Sequence, residues 1–135
     1  MAEQKLIQAS SKGLRLSPRK VSLVAALVRG RSVADALVIL DHTPKRAAKP
    51  LAKLIASAKA NATHNHSVRE DSLQITKLQV TTGTRLKRYR PAAMGRALPY
   101  QKRTSHVLVE VAGEVKVKPA AKAPATKAAE KKETK

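Results

Sequence analysis

Residues Gly83 to His106 read GTRLKRYRPAAMGRALPYQKRTSH. The stretch holds Arg85, Lys87, Arg88, Arg90, Arg96, Lys102 and Arg103, and no acid; none occurs anywhere between Asp71 and Glu110. Alternating apolar residues stand on both sides, from Leu73 to Val80 before it and from Val107 to Val111 after it. Two strands flanking a basic connection of about twenty residues predict one hairpin with an overgrown tip, since ordinary hairpin loops take about two to five. A long connection inside a small domain is functional or disordered. Seven like charges on so thin an element repel one another in water and become favourable against a polyanion, where they displace condensed counterions. Pro91, Gly95 and Pro99 punctuate the stretch.

Outward from this segment, the apolar spacing predicts three helices. Ser17-Pro18 supplies a cap and a proline at the first helical position, and Val21, Val24, Ala25 and Val28 form the buried stripe behind it. Gly30 ends that helix as a left-handed residue. Ser32 and Asp35 resemble a capping box opening a short helix with Ala36, Leu37, Ile39 and Leu40. Thr43-Pro44 repeats the cap-plus-proline signal, so a third helix is expected from there to about Thr63, burying Ala47, Leu51, Leu54, Ile55, Ala58 and Ala62. Pro50 falls inside it and predicts a kink near Arg46. Glu3 to Ala9 reads as a first strand, and the change of parity between Ile75 and Leu78 predicts a β-bulge near Thr76-Lys77. Together these give an α+β architecture: three helices packed on a small three-stranded antiparallel sheet with a long extended β-hairpin.

The chain of 135 residues carries a net charge of +19. Residues 1–112 contribute +15 of it, so the charge belongs mainly to the folded part. Such an excess points to nucleic acid first and to an anionic membrane second. The membrane reading fails on two counts: no apolar run approaches the roughly 18 residues of a spanning helix, and there is no Trp or Phe to anchor an interfacial one. Cysteine is absent, which excludes disulfides and thiolate metal sites. The opening MAEQKLIQAS lacks a secretory or transit pattern, so the chain is expected to start directly with structure. From Gly113 the composition collapses to Lys, Ala, Pro, Glu and Thr, and residues 113–135 are expected to be disordered.

The candidate site residues are basic. Within residues 83–106 they are the seven named above, with Arg concentrated toward the tip because its planar fork suits phosphates and stacking. Tyr89 and Tyr100, the only aromatic residues, are candidates for stacking on bases. Lys12, Arg15, Arg19 and Lys20 form a second basic group at the start of the first helix, where backbone N–H groups also favour phosphate. Lys45, Arg46, Lys49, Lys53 and Lys59 flank the third helix as a weaker signal. His64 and His66 have no third ligand and do not share a helical face, so no metal and no other cofactor is expected. Ser105-His106 lacks a third member for a nucleophilic triad.

Five blocks of sequence resemble the L-twenty-two family of large-subunit ribosomal proteins, in bacterial or organellar form. They are RLSPRK at Arg15–Lys20 with Val28-Arg29-Gly30, then Ala36–Leu40, Lys53–Asn65, Leu86–Ala97 and Lys102–His106. The resemblance runs from about Ala9 to Val111. It implies a non-enzymatic structural protein that binds large-subunit rRNA, assists assembly and touches neighbouring large-subunit proteins. It also implies that the hairpin tip (Arg88, Tyr89, Arg90, Pro91, Ala92, Ala93, Met94, Gly95 and Arg96) lines the tunnel used by nascent peptide. The location implied is a cytoplasmic ribosome or an organellar one. Ala92 and Met94 stand where the family commonly has basic residues, and Thr81-Thr82 where it commonly has an acidic stretch.

Two other readings compete on the residues alone. A DNA-architectural protein with a basic β-arm would need a dimer seam, for which no large apolar surface is left over; no homo-oligomer is expected. An RNA-processing enzyme would need a metal or acid–base set, and the six acids of residues 1–112 are scattered.

Overall fold

The computed structural model describes residues 4–114. Their order is β1 (Gln4–Leu14), α1 (Pro18–Val28), α2 (Val33–His42), α3 (Ala48–Ala60), β2 (Gln74–Pro91) and β3 (Ala97–Glu114). A wide helical turn at Asn61–Asn65 follows α3, and short 3-10 turns stand at Glu70–Ser72 and Ala93–Gly95. The strands form one antiparallel sheet in the order β1-β3-β2, with the helices on one face. The α+β expectation holds.

Val107, Val109 and Val111 of β3 alternate into the core and meet Ile7 and Ala9 of β1 and Ile75 and Leu78 of β2. The helices close over them with Val21, Val24, Ala25 and Val28, with Ala36 and Leu40, and with Leu51, Leu54, Ile55 and Ala58. Valine, leucine and isoleucine make up most of this core, and Ala25, Ala36 and Ala58 fill between them where the helices pack.

The capping signal of α2 is read as expected, whereas α1 has Ser17 at its cap position and Pro18 at its start but no side-chain capping bond. The Asp35 amide donates to Ser32 Oγ at 3.1 Å, while that hydroxyl donates to Asp35 Oδ2 at 2.7 Å. Gly30 takes φ +70 and ends α1. Its amide donates to Ile75 O at 3.1 Å, the Ile75 amide donates to Arg31 O at 3.0 Å, and the Val33 amide donates to Leu73 O at 3.0 Å. The α1–α2 connection thereby occupies the open edge of β2, and Arg29 Nε adds a bond to Leu78 O at 2.9 Å. Covering an edge in this way removes a template for unwanted strand pairing.

The third helix departs from its prediction. Thr43 closes α2 and does not open α3: its hydroxyl donates to Ile39 O at 2.6 Å and its amide to Leu40 O at 3.3 Å. A turn through Pro44–Ala47 follows, and α3 begins at Ala48. Pro50 is therefore in the first turn, where its missing N–H has no carbonyl to serve, and no kinked helix results. The first strand also runs further than Ala9, through Ser10 and Ser11 to Leu14, with an irregularity between Ser11 and Leu14 and Gly13 at φ +74. Glu3 lies outside the described residues. The register of β2 slips between Ile75 and Lys77, where the bulge was expected, and again between Thr82 and Arg85, where none was. Strand β3 continues through the buried Gly113 to Glu114; the Lys/Ala/Pro stretch from residue 115 lies outside the described residues.

Candidate nucleic-acid interface

The basic connection is itself β-ladder. Strands β2 and β3 stay in register from Arg85↔Arg103 through Leu86↔Lys102, Lys87↔Gln101, Arg88↔Tyr100, Tyr89↔Pro99 and Arg90↔Leu98 to Pro91↔Ala97. Only Ala92–Arg96 remain for the turn, which the Ala92 amide closes on Arg96 O at 2.8 Å. Met94 and Gly95 are both left-handed there, at φ 57 and φ 68. Glycine adopts that conformation freely; methionine does so at a cost of about 1–2 kcal/mol. Ten residues of arm at roughly 3.3 Å each extend about 33 Å beyond the core.

Paired residues share a face of the ladder and successive residues alternate. One face therefore carries Arg85, Lys87, Arg103, Tyr89 and Pro99, the other Leu86, Arg88, Arg90, Leu98, Tyr100 and Lys102. Cations stand on both sides. On the second face Arg90 Cζ lies 4.8 Å above the ring centre of Tyr100, a cation–π contact that occupies one side of that ring. Tyr89, by contrast, is 69% exposed, and Met94 at the turn is 92% exposed. Arg88 donates to its neighbour's carbonyl, Lys87 O, at 2.8 Å. Among the described residues the only ion pairs join Lys59 to Glu70 and Lys77 to Glu110, both away from the arm.

The second basic group does not gather as one cluster. Lys12 belongs to β1 and lines a depression on the outer sheet face with Gln79, Thr81 and His106. Arg15 stands in the β1–α1 connection. Arg19 faces a groove that it shares with Arg103 of the hairpin root. Lys20 lies across from Lys45 and Arg46 of the Pro44–Ala47 turn. Sequence reasoning placed Lys45 and Arg46 with the third helix and so missed their proximity to Lys20; the break at Thr43 was the signal.

His106 Nδ1 accepts the Gly13 amide at 2.9 Å, at the level where β1 and β2 both lose register with β3. Ser105, on the opposite sheet face, is fully buried and its hydroxyl has no partner among the described groups. The two side chains thus point apart.

This arrangement of a small helical layer and a basic two-stranded arm can be set beside known proteins. A model of the family described as ribosomal protein L22p/L17e matches residues 9–112. The chain belongs to that family. It is 48% identical over 104 residues to the large ribosomal subunit protein uL22 of Desulfitobacterium hafniense, covering 77% of this chain and 91% of that protein. It is 47% identical over 112 residues to the large ribosomal subunit protein uL22 of Lactobacillus delbrueckii subsp. bulgaricus, covering 82% and 96%. Members of the L22p/L17e family are structural, non-enzymatic components of the large ribosomal subunit, and this chain is one of them. The L22p/L17e match takes in all three helices and the whole hairpin.

Proposed function

We propose that this ribosomal protein binds large-subunit rRNA in the cytoplasmic ribosome, assists its assembly, and lines the nascent-peptide tunnel with its hairpin tip. The observation that supports this most is the distribution of cations over both faces of an exposed ladder. An arm resting on a surface needs charge on one side; an arm inserted between RNA segments needs it on both, because each face meets phosphates. The body anchors through Lys12, Arg15, Arg19 and Lys20, and the arm through Arg85, Lys87, Arg88, Arg90, Arg96, Lys102 and Arg103. Residues Arg88 to Arg96 then meet nascent peptide, and the rest of the surface meets neighbouring large-subunit proteins, with no second copy of the chain.

Affinity for isolated large-subunit rRNA tests the electrostatic part. If about six to ten phosphates are neutralised, it falls about 10³–10⁵-fold between about 50 and 200 mM salt. A flat salt response would refute a charge-driven contact. Occupancy in purified subunits tests the division of labour. A variant lacking Arg90–Arg96 enters subunits but alters peptide stalling or macrolide sensitivity, whereas charge reversal at Arg15, Arg19 and Lys20 together impairs entry. The opposite pattern would reverse the roles assigned to body and tip.

A further inference from the structure

Helix α1 and the hairpin root enclose a groove of about 680 Å³. Leu23 and Ala26 of α1 and Val80 of β2 line it, together with Arg19 of α1 and Arg103 of β3. Leu23 is 73% exposed although Val24 and Ala25 beside it are buried, so a leucine is held open over an apolar floor. Arg103 is the register partner of Arg85. Two like charges directly opposite in a ladder destabilise it. No acid intervenes between Asp71 and Glu110, none lines the groove, and no described ion pair reaches these three arginines. The fold thus maintains an uncompensated arginine pair beside an uncovered apolar floor.

We propose that this groove holds one unpaired nucleotide of RNA, with its phosphate between Arg103 and Arg85 and its base laid flat on Leu23, Ala26 and Val80. The inference rests on the rRNA-binding reading and names what one part of that surface takes. A nucleotide flipped out of a helix offers the needed combination: a planar apolar face, and within a few ångströms an anion suited to a guanidinium fork. Duplex RNA offers the anion alone, because its base faces are stacked on one another. The apolar lining is short, limited to Pro18, Leu23, Ala26 and Val80, which suits a single base better than a helix of a partner protein. Arg19, which also lines the groove, takes the next phosphate along the strand.

The test uses the full chain with ¹³C-labelled leucine and valine methyls, titrated with hexa-adenylate and with an abasic hexamer of equal phosphate number. The Leu23 and Val80 methyls shift upfield, by ring current, with hexa-adenylate only. Arg103→Gln weakens both oligomers and lowers the salt slope by about one. Leu23→Gln weakens hexa-adenylate roughly fivefold and leaves the abasic strand unaffected. If hexa-adenylate binds while both methyls stay unmoved, the groove assignment is wrong and the rRNA reading stands. If neither oligomer nor large-subunit rRNA binds, both fall together. A photo-crosslinking residue at position 23 in assembled large subunits yields an RNase-sensitive adduct; an adduct to protein overturns the nucleotide.

Discussion

The Gly13 amide donates to the Nδ1 of His106 at 2.9 Å, joining two residues 93 positions apart in sequence. This bond closes the irregular end of β1 against β3, where the ladder has lost its regular partners. With Nδ1 accepting, the ring proton is on Nε2. His106→Phe keeps an aromatic ring, although a larger one, and removes the acceptor. The site is exposed, so the Gly13 N–H turns to water and stability falls by only about 0.5–1.5 kcal/mol. Amide exchange at Gly13 accelerates by up to roughly tenfold. Unchanged exchange would show that the bond is not formed in solution.

Ser105 offers the reverse case. Its hydroxyl is buried among core residues with no hydrogen-bond partner among the described groups. Such a group costs about 1–3 kcal/mol, while the oxygen removed in Ser105→Ala leaves little space behind. The variant is more stable by about 1 kcal/mol, and its thermal midpoint rises by roughly 4–8 °C. A lower midpoint would mean that the hydroxyl is bonded after all.

At the far end of β3, Gly113 lies where a Cβ would come within 2.6 Å of Val68 Cγ1 and 2.8 Å of Leu73 Cδ2. Both neighbours are buried and cannot swing aside. Gly113→Ala destabilises the domain by about 1–3 kcal/mol through overpacking. Denaturant unfolding reads this directly; a loss under half a kilocalorie would mean that β3 ends before Gly113 in solution.

The hairpin turn gives a local prediction. Met94 at φ 57 and ψ 37 carries strain that glycine avoids. Met94→Gly therefore slows exchange of the Ala92 amide, which closes the turn, by roughly fivefold, and Met94→Val accelerates it because a β-branched residue fits that region worst. Global stability moves in neither variant, since the tip touches no core residue. Equal exchange in all three proteins would show that the turn is already open.

Much of the fold was legible in the sequence, and what was not had local causes. Val21, Val24, Ala25 and Val28, and likewise Val107, Val109 and Val111, announce their faces because burial follows period 3.6 or 2. The bulge at Thr76 showed as a change of parity between Ile75 and Leu78. The second slip, between Thr82 and Arg85, left no such trace, because its residues are polar on both faces. Ser10 and Ser11 lack any apolar alternation and join β1 through backbone pairing with β3, while Lys12 and Gly13 fall in the irregularity that follows. Thr43-Pro44 carries a helix-start signal that the carbonyl of Ile39 outcompetes. For the candidate site, each cation was visible singly. That Arg19 approaches Arg103, and Lys20 approaches Arg46, depends on how α1 packs, and no spacing along the chain encodes it.

The division of cations over both faces of the arm leaves it without an electrostatic front or back. Turned by half a revolution about its long axis, the ribbon would offer a surrounding polyanion almost the same charge. Its rotational setting must therefore come from the end that is held: from Gly83, where any side chain would collide with Thr104 and crowd the His106 ring, and from the Thr104 hydroxyl donating to Thr84 O at 2.8 Å. The body works as a clocking pin. Whatever orients the helices also decides which way Arg90 and Tyr100 face, and which way Lys87 and Tyr89 face.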